Sequence, residues 1–336
     1  MTLISFSDNF IHKNVKKNIM TDIPWVEKYR PSQTDQVIVS DIIRAKINSI
    51  IEKKDMPHLI ITGDPGTGKT STVKCIAKVL ITPAKYNKSV LELNASDERG
   101  LNMINNTIIH FCEKKINDVP HKIVILDEAD SITPKAQNLL TNILESYINT
   151  TRFAFICNDI TKIEESIQSK CMIMNYPKMK NEWIKNRIMY IIDKENISYD
   201  EEGIKALIFC SNGDIRQTIN YLECLHYSFG YISKVNVFSL CRTPKPELIK
   251  STFQNIKNKN FTNALEILKE LNNSGYSPND ILSTMINMIF ENYEVDLDEE
   301  TKINFLEELG KANLRFNEGS ESFLQLVGCI AKILNK

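Results

Sequence analysis

The amino-acid sequence predicts an α/β fold, in which a doubly wound parallel sheet is followed by a small helical domain and an all-α C-terminal domain. From Pro57 onward, short and nearly continuous apolar runs alternate with amphipathic helical patterns, which is typical of strands buried on both faces of a parallel sheet. A glycine-rich turn joins the first run to the first helix. After Pro177 the strand signal fades, and the apolar spacing becomes helical.

Five apolar runs are the predicted strands, and they cover residues 58–62, 90–93, 122–126, 153–157 and 172–174. The helix after the first strand has an apolar face of Val73, Ile76, Ala77 and Leu80. The helix after the second has Leu101, Ile104, Ile108 and Phe111. The helix after the third is predicted to begin with Thr133 as N-cap and Pro134 at its first helical position. Its buried face is formed by Leu140, Ile143, Leu144 and Tyr147.

Changes in pattern predict the domain boundaries. Residues 1–22 are mixed and rich in lysine and asparagine, and we expect them to be an N-terminal extension. The sheet domain is predicted to cover 23–177, the small helical domain 178–241 and the C-terminal helical domain 242–336. The sequence Arg-Thr-Pro-Lys-Pro at 242–246 interrupts the helical pattern and is the predicted linker between the last two.

The composition is that of a globular protein with more than one core, since 336 residues exceed what a single core usually serves. The chain has 41 Lys and Arg against 42 Asp and Glu, so any contact with nucleic acid must come from a local patch. None of the eight cysteines forms a CxxC pair, which argues against a zinc site or a disulfide framework. The sequence shows neither a membrane-length apolar run nor a signal-peptide block, so we expect an intracellular, soluble protein.

The glycine-rich turn carries the first chemical motif. Residues 63–70 read GDPGTGKT and fit the phosphate-loop pattern GxxxxGK[ST] in full, between a predicted strand and a predicted helix. Its glycines let backbone N–H groups surround phosphates, and the helix N-terminus adds partial positive charge. Lys69 is expected to reach the β- and γ-phosphates of ATP, and Thr70 to bind Mg²⁺. A glycine-rich turn without a ligand is the alternative.

A pair of carboxylates ends the third predicted strand. Asp127 and Glu128 follow the apolar run 123–126, and the carboxyl edge of a parallel sheet brings them beside the phosphate loop. We expect Asp127 to hold Mg²⁺ through water, and Glu128 to orient and polarise the attacking water. Such a pair can also be a solvated strand end, but together with the phosphate loop it predicts an ATPase.

Several longer segments are more distinctive than these short motifs. WVEKYRP lies at 25–31, LNASDERG at 93–100 and DEAD at 127–130. In this order they resemble the boxes of replication factor C small subunits, a clamp-loader family within the AAA+ ATPases. Further segments resemble the family's sensor 1, its sensor 2 and pieces of its C-terminal collar, and these are Cys157-Asn158, 213–216, 275–281 and 324–326. The resemblance covers most of the chain and implies an AAA+ domain, a helical lid and a collar.

The resemblance also assigns roles by position. It implies that Val26 and Arg30 border the adenine and the ribose, that Asn158 senses the γ-phosphate, and that Arg216 reaches this phosphate from the lid. The nucleotide-binding residues so implied are Val26, Arg30, Gly63, Asp64, Pro65, Gly66, Thr67, Gly68, Lys69, Thr70, Ser71, Asn158 and Arg216. The catalytic ones are Lys69, Asp127, Glu128, Asn158 and Arg216, and the metal ligands are Thr70 and Asp127. A turn asparagine and a solvated arginine are the alternatives for Asn158 and Arg216.

The chain departs from the family at five positions. Lys170 replaces the arginine that acts in trans on the ATP of a neighbouring subunit, and lysine lacks the planar fork of arginine. Thr141 and Asn142 replace paired arginines of the helix after DEAD, and Asn105 replaces an arginine of the helix after LNASDERG. Asp64 stands where proline is common. We therefore expect a complete ATP site within the chain and weakened groups toward the neighbour and DNA.

The resemblance implies a subunit that binds and hydrolyses ATP with Mg²⁺ to help load a sliding clamp on primed DNA. Its implied partners are other loader subunits in a hetero-oligomeric ring (a pentamer in the family), the sliding clamp and primer-template DNA, with no membrane. The implied location is the nucleus or another site of DNA replication. Two alternatives stay open: a non-hydrolysing structural subunit of a loader, or a different AAA+ remodeller of DNA.

Overall fold

A five-stranded parallel sheet organises the first half of the chain in the computed structural model, which describes residues 23–96, 107–116 and 119–334. The strands are β1 (Leu59–Gly63), β2 (Val90–Asn94), β3 (Lys122–Asp127), β4 (Thr151–Cys157) and β5 (Met172–Tyr176). Each predicted strand overlaps one of them, and the predicted doubly wound parallel sheet is confirmed. Strand β4 begins two residues earlier than predicted, because Thr151 pairs in register with Lys122 of β3.

The strand order is β2-β3-β4-β1-β5, and every neighbouring pair is parallel. The carboxyl ends of β1, β4 and β3 therefore lie side by side. Gly63 ends β1, Asp127 ends β3, and Asn158 follows β4 directly. Crevices at this edge of open α/β sheets are where such folds bind ligands.

Helices cover both faces of this sheet. They are α2 (Asp41–Lys53), α3 (Lys69–Leu80), α4 (Pro83–Ser89), α5 (Ile109–Glu113), α6 (Pro134–Ser146) and α7 (Glu165–Gln168), whereas the short α1 (Trp25–Lys28) precedes the sheet and packs on other helices. On one face, Ile47 of α2 and Ile76 of α3 pack in one cluster with Ile61 of β1. On the other, Leu140 of α6 packs in a second cluster with Phe155 of β4. The two clusters are the two cores that a doubly wound sheet requires.

The start of α6 matches the prediction in position but not in capping. Pro134 is the first helical residue and Thr133 has the extended N-cap backbone, yet the Thr133 side chain makes no capping bond. The main-chain carbonyl of Thr133 already accepts from the N–H groups of Ala136 and Gln137, at 3.0 Å each. Of the helix predicted after β2, residues 101–106, with Leu101, Ile104 and Asn105, lie outside the described residues.

The second half of the chain is helical, as predicted. The lid consists of α8 (Asn181–Glu195), α9 (Glu201–Ser211), α10 (Ile215–Phe229) and α11 (Lys234–Cys241), and the collar of α12 (Pro246–Lys257), α13 (Phe261–Asn273), α14 (Pro278–Phe290), α15 (Glu299–Asn317) and α16 (Phe323–Leu334). Two short strands, β6 (Ser198–Tyr199) and β7 (Tyr231–Ile232), pair in parallel within the lid and were not predicted. No helix among the described residues has the length and apolar content to cross a bilayer.

One hydrophobic core runs through the lid and the collar. It contains Leu222 of α10 together with Met285 of α14, and Phe209 of α9 stacks on Tyr293 with ring centroids 4.3 Å apart. Trp25 belongs to this core, although it precedes the sheet in the chain. Its backbone N–H donates to Glu223 of α10 at 3.1 Å. The segment at 25–31 is therefore attached to the lid as well as to the sheet.

Two histidines are buried near the opposite end of the sheet, and they make stability depend on pH. Burial, followed by the charge of Arg152, lowers the pKa of His58 and of His121 to about 4. The Nδ1 atom of His58 accepts a hydrogen bond from the Phe153 N–H at 3.1 Å, which requires an unprotonated nitrogen.

We expect the free energy of unfolding to decrease as the pH falls from about 6.5 toward about 4. In this window the unfolded chain binds protons at His58 and His121 while the folded chain does not, which amounts to about 2–3 kcal/mol for each histidine. Urea unfolding at several pH values measures the effect. Replacing both residues with glutamine should flatten the dependence, whereas replacing the exposed His110 should not. An equally steep dependence in the double variant would contradict this prediction.

Candidate nucleotide-binding site

The phosphate loop connects β1 to α3, and its conformation depends on glycine. Gly66 has φ +72°, in the left-handed region. A Cβ atom on Gly66 would lie 1.8 Å from Oδ1 of Asp214 in the lid. The loop and the lid therefore approach each other here so closely that no side chain fits between them.

Lys69 opens α3 and is buried beside the loop, with 8% of the residue exposed. Its Nζ donates to the carbonyl oxygens of Gly63 and Asp64 at 2.6 and 2.8 Å, and to Oδ1 of Asn158 at 2.9 Å. Burial lowers the pKa of Lys69, and the nearby charge of Asp127 opposes this shift. All three N–H donors of the ammonium group are therefore used by protein oxygens, and a phosphate oxygen would bind by replacing one of them.

Thr70 and Asp127 meet where α3 starts and β3 ends. The Thr70 hydroxyl donates to Oδ2 of Asp127 at 2.9 Å. Hydroxyl and carboxylate oxygens are the ligands that Mg²⁺ prefers, often with several waters retained. These two side chains thus fit a magnesium ion beside the phosphate loop.

Glu128 follows Asp127 in a left-handed backbone conformation, with φ +53°. Its N–H donates to Oδ1 of Asp127 at 3.0 Å, and its carbonyl accepts from the Ser131 hydroxyl at 2.8 Å. The side chain is exposed at the sheet edge that carries Asp127.

Asn158 reaches the same place from the neighbouring strand. Its backbone N–H donates to Oδ2 of Asp130 at 3.4 Å, and its carbonyl accepts from the Thr62 hydroxyl at 3.3 Å. Together with the bond from Lys69, these contacts fix the residue at the end of β4. The amide therefore lies in contact with the phosphate-loop lysine and is not a free turn residue.

A cavity of about 320 Å³ extends from the phosphate loop to the lid. One wall is formed by Val26, Tyr29 and Arg30, and Gly66, Gly68 and Ser71 lie at the phosphate end. Its volume is in the range of small-molecule sites, and most of the exposed lining is apolar, which fits a base and a ribose. The Arg30 Nε donates to the Ser71 hydroxyl at 3.4 Å, so this wall is tied to α3.

The lid supplies Arg216 to the same cavity. Arg216 lies in the first turn of α10, where the carboxylate of Asp214 accepts from the N–H groups of Arg216 and Gln217 at 2.8 and 3.1 Å. The charge of Arg216 is close enough to Lys69 to lower the pKa of the lysine. Two cations, Lys69 at the start of α3 and Arg216 of the lid, therefore lie close to each other beside the phosphate loop.

Three family models match consecutive parts of the chain. Residues 59–177 match the ATPase family associated with various cellular activities, 181–229 match the RFC1-like AAA+ ATPase lid domain, and 244–332 match the replication factor C C-terminal domain. The matched ranges follow the sheet, the lid and the collar.

Curated relatives match nearly the whole chain. Replication factor C subunit 4 of Oryza sativa subsp. japonica is 43% identical over 313 residues, which cover 93% of this chain and 92% of the relative. Replication factor C subunit 4 of Saccharomyces cerevisiae is 38% identical and covers 95% and 98%. A putative replication factor C small subunit of Acanthamoeba polyphaga mimivirus is 37% identical and covers 94% and 97%. The chain belongs to the replication factor C family.

Solved structures show the same fold at greater distance. The RuvB Holliday junction branch migration motor of Thermotoga maritima aligns with a TM-score of 0.52 and 14% identity, over 68% of this chain and 79% of that one. At this identity the likeness concerns the fold alone.

Some sequence-predicted residues of this replication factor C chain lie outside the cavity. Thr67 is buried, and its hydroxyl donates to the Asp64 carbonyl at 2.8 Å, within the loop itself. Asp64 and Pro65 line a separate groove between the loop and the lid. Lys170 is not in the cavity wall, and its ammonium group pairs with Glu145 at 2.8 Å.

Other residues of the cavity wall have no sequence motif that would reveal them. They are Gln36, Val37 and Ile38, from the segment before α2, and Met179, Arg187 and Ile219, from the lid. Only Ile219 had a usable signal, because it lies three residues after Arg216 on the same helix face. The rest are brought to the cavity by the fold alone.

Proposed function

We propose that the chain is an ATP-hydrolysing subunit of a sliding-clamp loader. The observation that carries the proposal is the contact of Lys69 with Asn158 and of Thr70 with Asp127 at one edge of the sheet. These four side chains come from three separate segments, and each is of the type that phosphoryl transfer from ATP requires. Membership of the replication factor C family supports the same activity.

The roles within the site follow from its chemistry. Thr70 and Asp127 would hold Mg²⁺, and the ion would offset the negative charge of the phosphates. Lys69 and Arg216 would stabilise the negative charge that develops on the transferred phosphoryl group. Glu128 would orient the attacking water and accept its proton, and Asn158 would keep Lys69 in place.

The collar supports assembly with other subunits. Large apolar side chains of the collar are exposed to solvent, and they are Phe290, Ile303, Leu314 and Leu324. We propose that they contact the other loader subunits in a hetero-oligomeric ring, in which Lys170 faces the ATP of a neighbour.

The sliding clamp and primer-template DNA are the further proposed partners, and a site of DNA replication, such as the nucleus, is the proposed location. With a net charge of −1, the chain would bind DNA through a local surface within the ring rather than by itself. We expect this subunit to contribute weakly to the salt dependence of DNA binding. Asn105 stands where the family has an arginine, and asparagine releases no counterions from phosphates.

The proposal is tested on the assembled complex. We expect the chain to co-purify with the other loader subunits, and the ATPase rate of the complex to rise when its sliding clamp and primed DNA are added together. Unprimed duplex DNA without the clamp is the matched control. A complex that hydrolyses ATP at the same rate with either DNA would contradict clamp loading and would favour another AAA+ remodeller.

A further inference from the structure

Arg187 is a half-buried cation in the wall of the cavity, and no motif accounts for it. It lies on α8 and contributes to the wall beside Tyr29 and Arg30. Burial lowers the pKa of its guanidinium group. Among the residues that the structure describes, it has no carboxylate partner. The contacts that Arg187 does make therefore indicate what it does.

Those contacts are with the segment that forms the base end of the cavity. The Arg187 Nη2 donates to the main-chain carbonyl of Tyr29, and the guanidinium group lies over the Tyr190 ring at 5.3 Å from its centroid. The Tyr190 ring also meets the edge of the Tyr29 ring, with centroids 6.3 Å apart and planes at 88°. The Tyr29 hydroxyl in turn donates to Glu195 at the end of α8. Tyr29 is thus held to α8 at its carbonyl, its ring and its hydroxyl.

Of these three attachments, only the Arg187 bond reaches the backbone. Val26, Tyr29 and Arg30 line the cavity from this same short segment, so its backbone position sets the shape of the wall. Arg187 provides five N–H donors in a rigid fork, and the carbonyl of Tyr29 uses one side of it. The triphosphate end is built by other elements, namely the phosphate loop and the start of α3. Arg187 therefore acts on the base end of the cavity alone.

We propose that Arg187 is a positioning residue for the nucleobase, which fixes the wall at Tyr29 so that the cavity prefers adenine to guanine. The inference rests on the proposed function, because it requires a nucleotide in this cavity. Guanine carries a carbonyl where adenine carries an amino group. A wall held in one place rejects the base whose polar groups it leaves unpaired, whereas a wall that can shift adapts to both.

The test separates the base end from the phosphate end by the choice of ligand. Binding of ATP, GTP and inorganic tripolyphosphate, each with Mg²⁺, is measured by calorimetry for the wild type, Arg187→Met and Arg187→Lys. For Arg187→Met we expect an affinity for ATP that is roughly tenfold lower, as for the loss of a hydrogen bond to a charged group. The preference for ATP over GTP should fall by a similar factor, and the affinity for tripolyphosphate should stay within about twofold.

Arg187→Lys keeps the charge without the fork, so we expect an intermediate loss of ATP affinity, and this variant serves if Arg187→Met does not fold. The matched control is Lys194→Met, since Lys194 also lies over the Tyr190 ring, at 5.8 Å, and is outside the cavity wall. The control should bind all three ligands as the wild type does.

Two results would overturn the inference alone. One is an unchanged preference for ATP over GTP in both variants of Arg187. The other is a parallel loss of ATP and tripolyphosphate binding, which would show that Arg187 only supports the folding of the lid. A wild-type chain that bound tripolyphosphate and ATP equally weakly would instead refute the proposed function, and the inference with it.

Discussion

Replacing Lys69 with alanine is expected to abolish nucleotide binding, with an affinity for MgATP at least about 100-fold lower. The Lys69 Nζ is held by Gly63, Asp64 and Asn158 at the mouth of the phosphate loop. Lys69 is the one cationic residue of the phosphate loop at 63–70, so no neighbour in the loop can replace its charge. Titration with a fluorescent ATP analogue, in the presence of Mg²⁺, measures the loss.

The matched control for this variant lies on the same helix. Lys74→Ala removes a lysine of α3 that pairs with Glu92 at 2.5 Å and does not line the cavity. We expect its affinity for MgATP to equal that of the wild type. Because Lys69 also bonds two loop carbonyls, the thermal unfolding of Lys69→Ala has to be measured beside its binding. A folded Lys69→Ala protein with unchanged affinity would show that the phosphate site has been assigned to the wrong residues.

The sheet and the phosphate loop could be predicted because their signals are local in the sequence. Strands buried on both faces appear as continuous apolar runs, and the spacing of Val73, Ile76, Ala77 and Leu80 has the helical period. The phosphate loop is eight consecutive residues. The placement of Asp127 beside Thr70 also followed, because parallel strands share one carboxyl edge.

Features that depend on contacts between distant segments could not be predicted. The periodicity of α8 did not distinguish Arg187 from a solvated cation, and only the fold brings it to Tyr29, far away in the chain. Strands β6 and β7 have two residues each, too few for an alternating pattern. The capping bond predicted for Thr133 is missing because its own carbonyl already takes the N–H groups in question.

The common core of lid and collar has a consequence for experiments on assembly. Truncation after the lid would expose Leu222, which packs in the same cluster as Met285, and Phe209, which stacks on Tyr293. The polar contacts of Lys178 and Asn181 with Glu291, at 3.2 and 2.9 Å, would be lost as well. A truncated chain that fails to assemble would therefore not separate a lost interface from a misfolded lid. Substitution of an exposed collar residue such as Leu324 leaves this core intact.

Replacing Glu128 with glutamine is expected to retain ATP binding and to lower the rate of hydrolysis by about 100-fold or more, the range of a lost general base. Glutamine has the size of glutamate but cannot accept the proton of the attacking water. Asp127 and Thr70, which would hold Mg²⁺, are unchanged, so the affinity for MgATP should stay within about threefold of the wild type. The start of α3 and the end of β3 position Thr70 and Asp127, and this arrangement needs no contact from the Glu128 side chain.

Because several subunits of a loader can hydrolyse ATP, the rate has to be assigned to this site. The assembled complex is prepared with the equivalent glutamate replaced by glutamine in every other ATPase subunit, and the ATPase rate is measured with clamp and primed DNA. We expect the remaining rate to vanish when Glu128→Gln is added, and to persist with Glu52→Gln, an exposed glutamate of α2. A rate that survives Glu128→Gln would remove Glu128 from the mechanism. The complex could also bind ATP at this subunit and yet show no hydrolysis while Glu128 is intact. That result would show that the subunit is structural, because the site would then hold the nucleotide without using Glu128 as a general base.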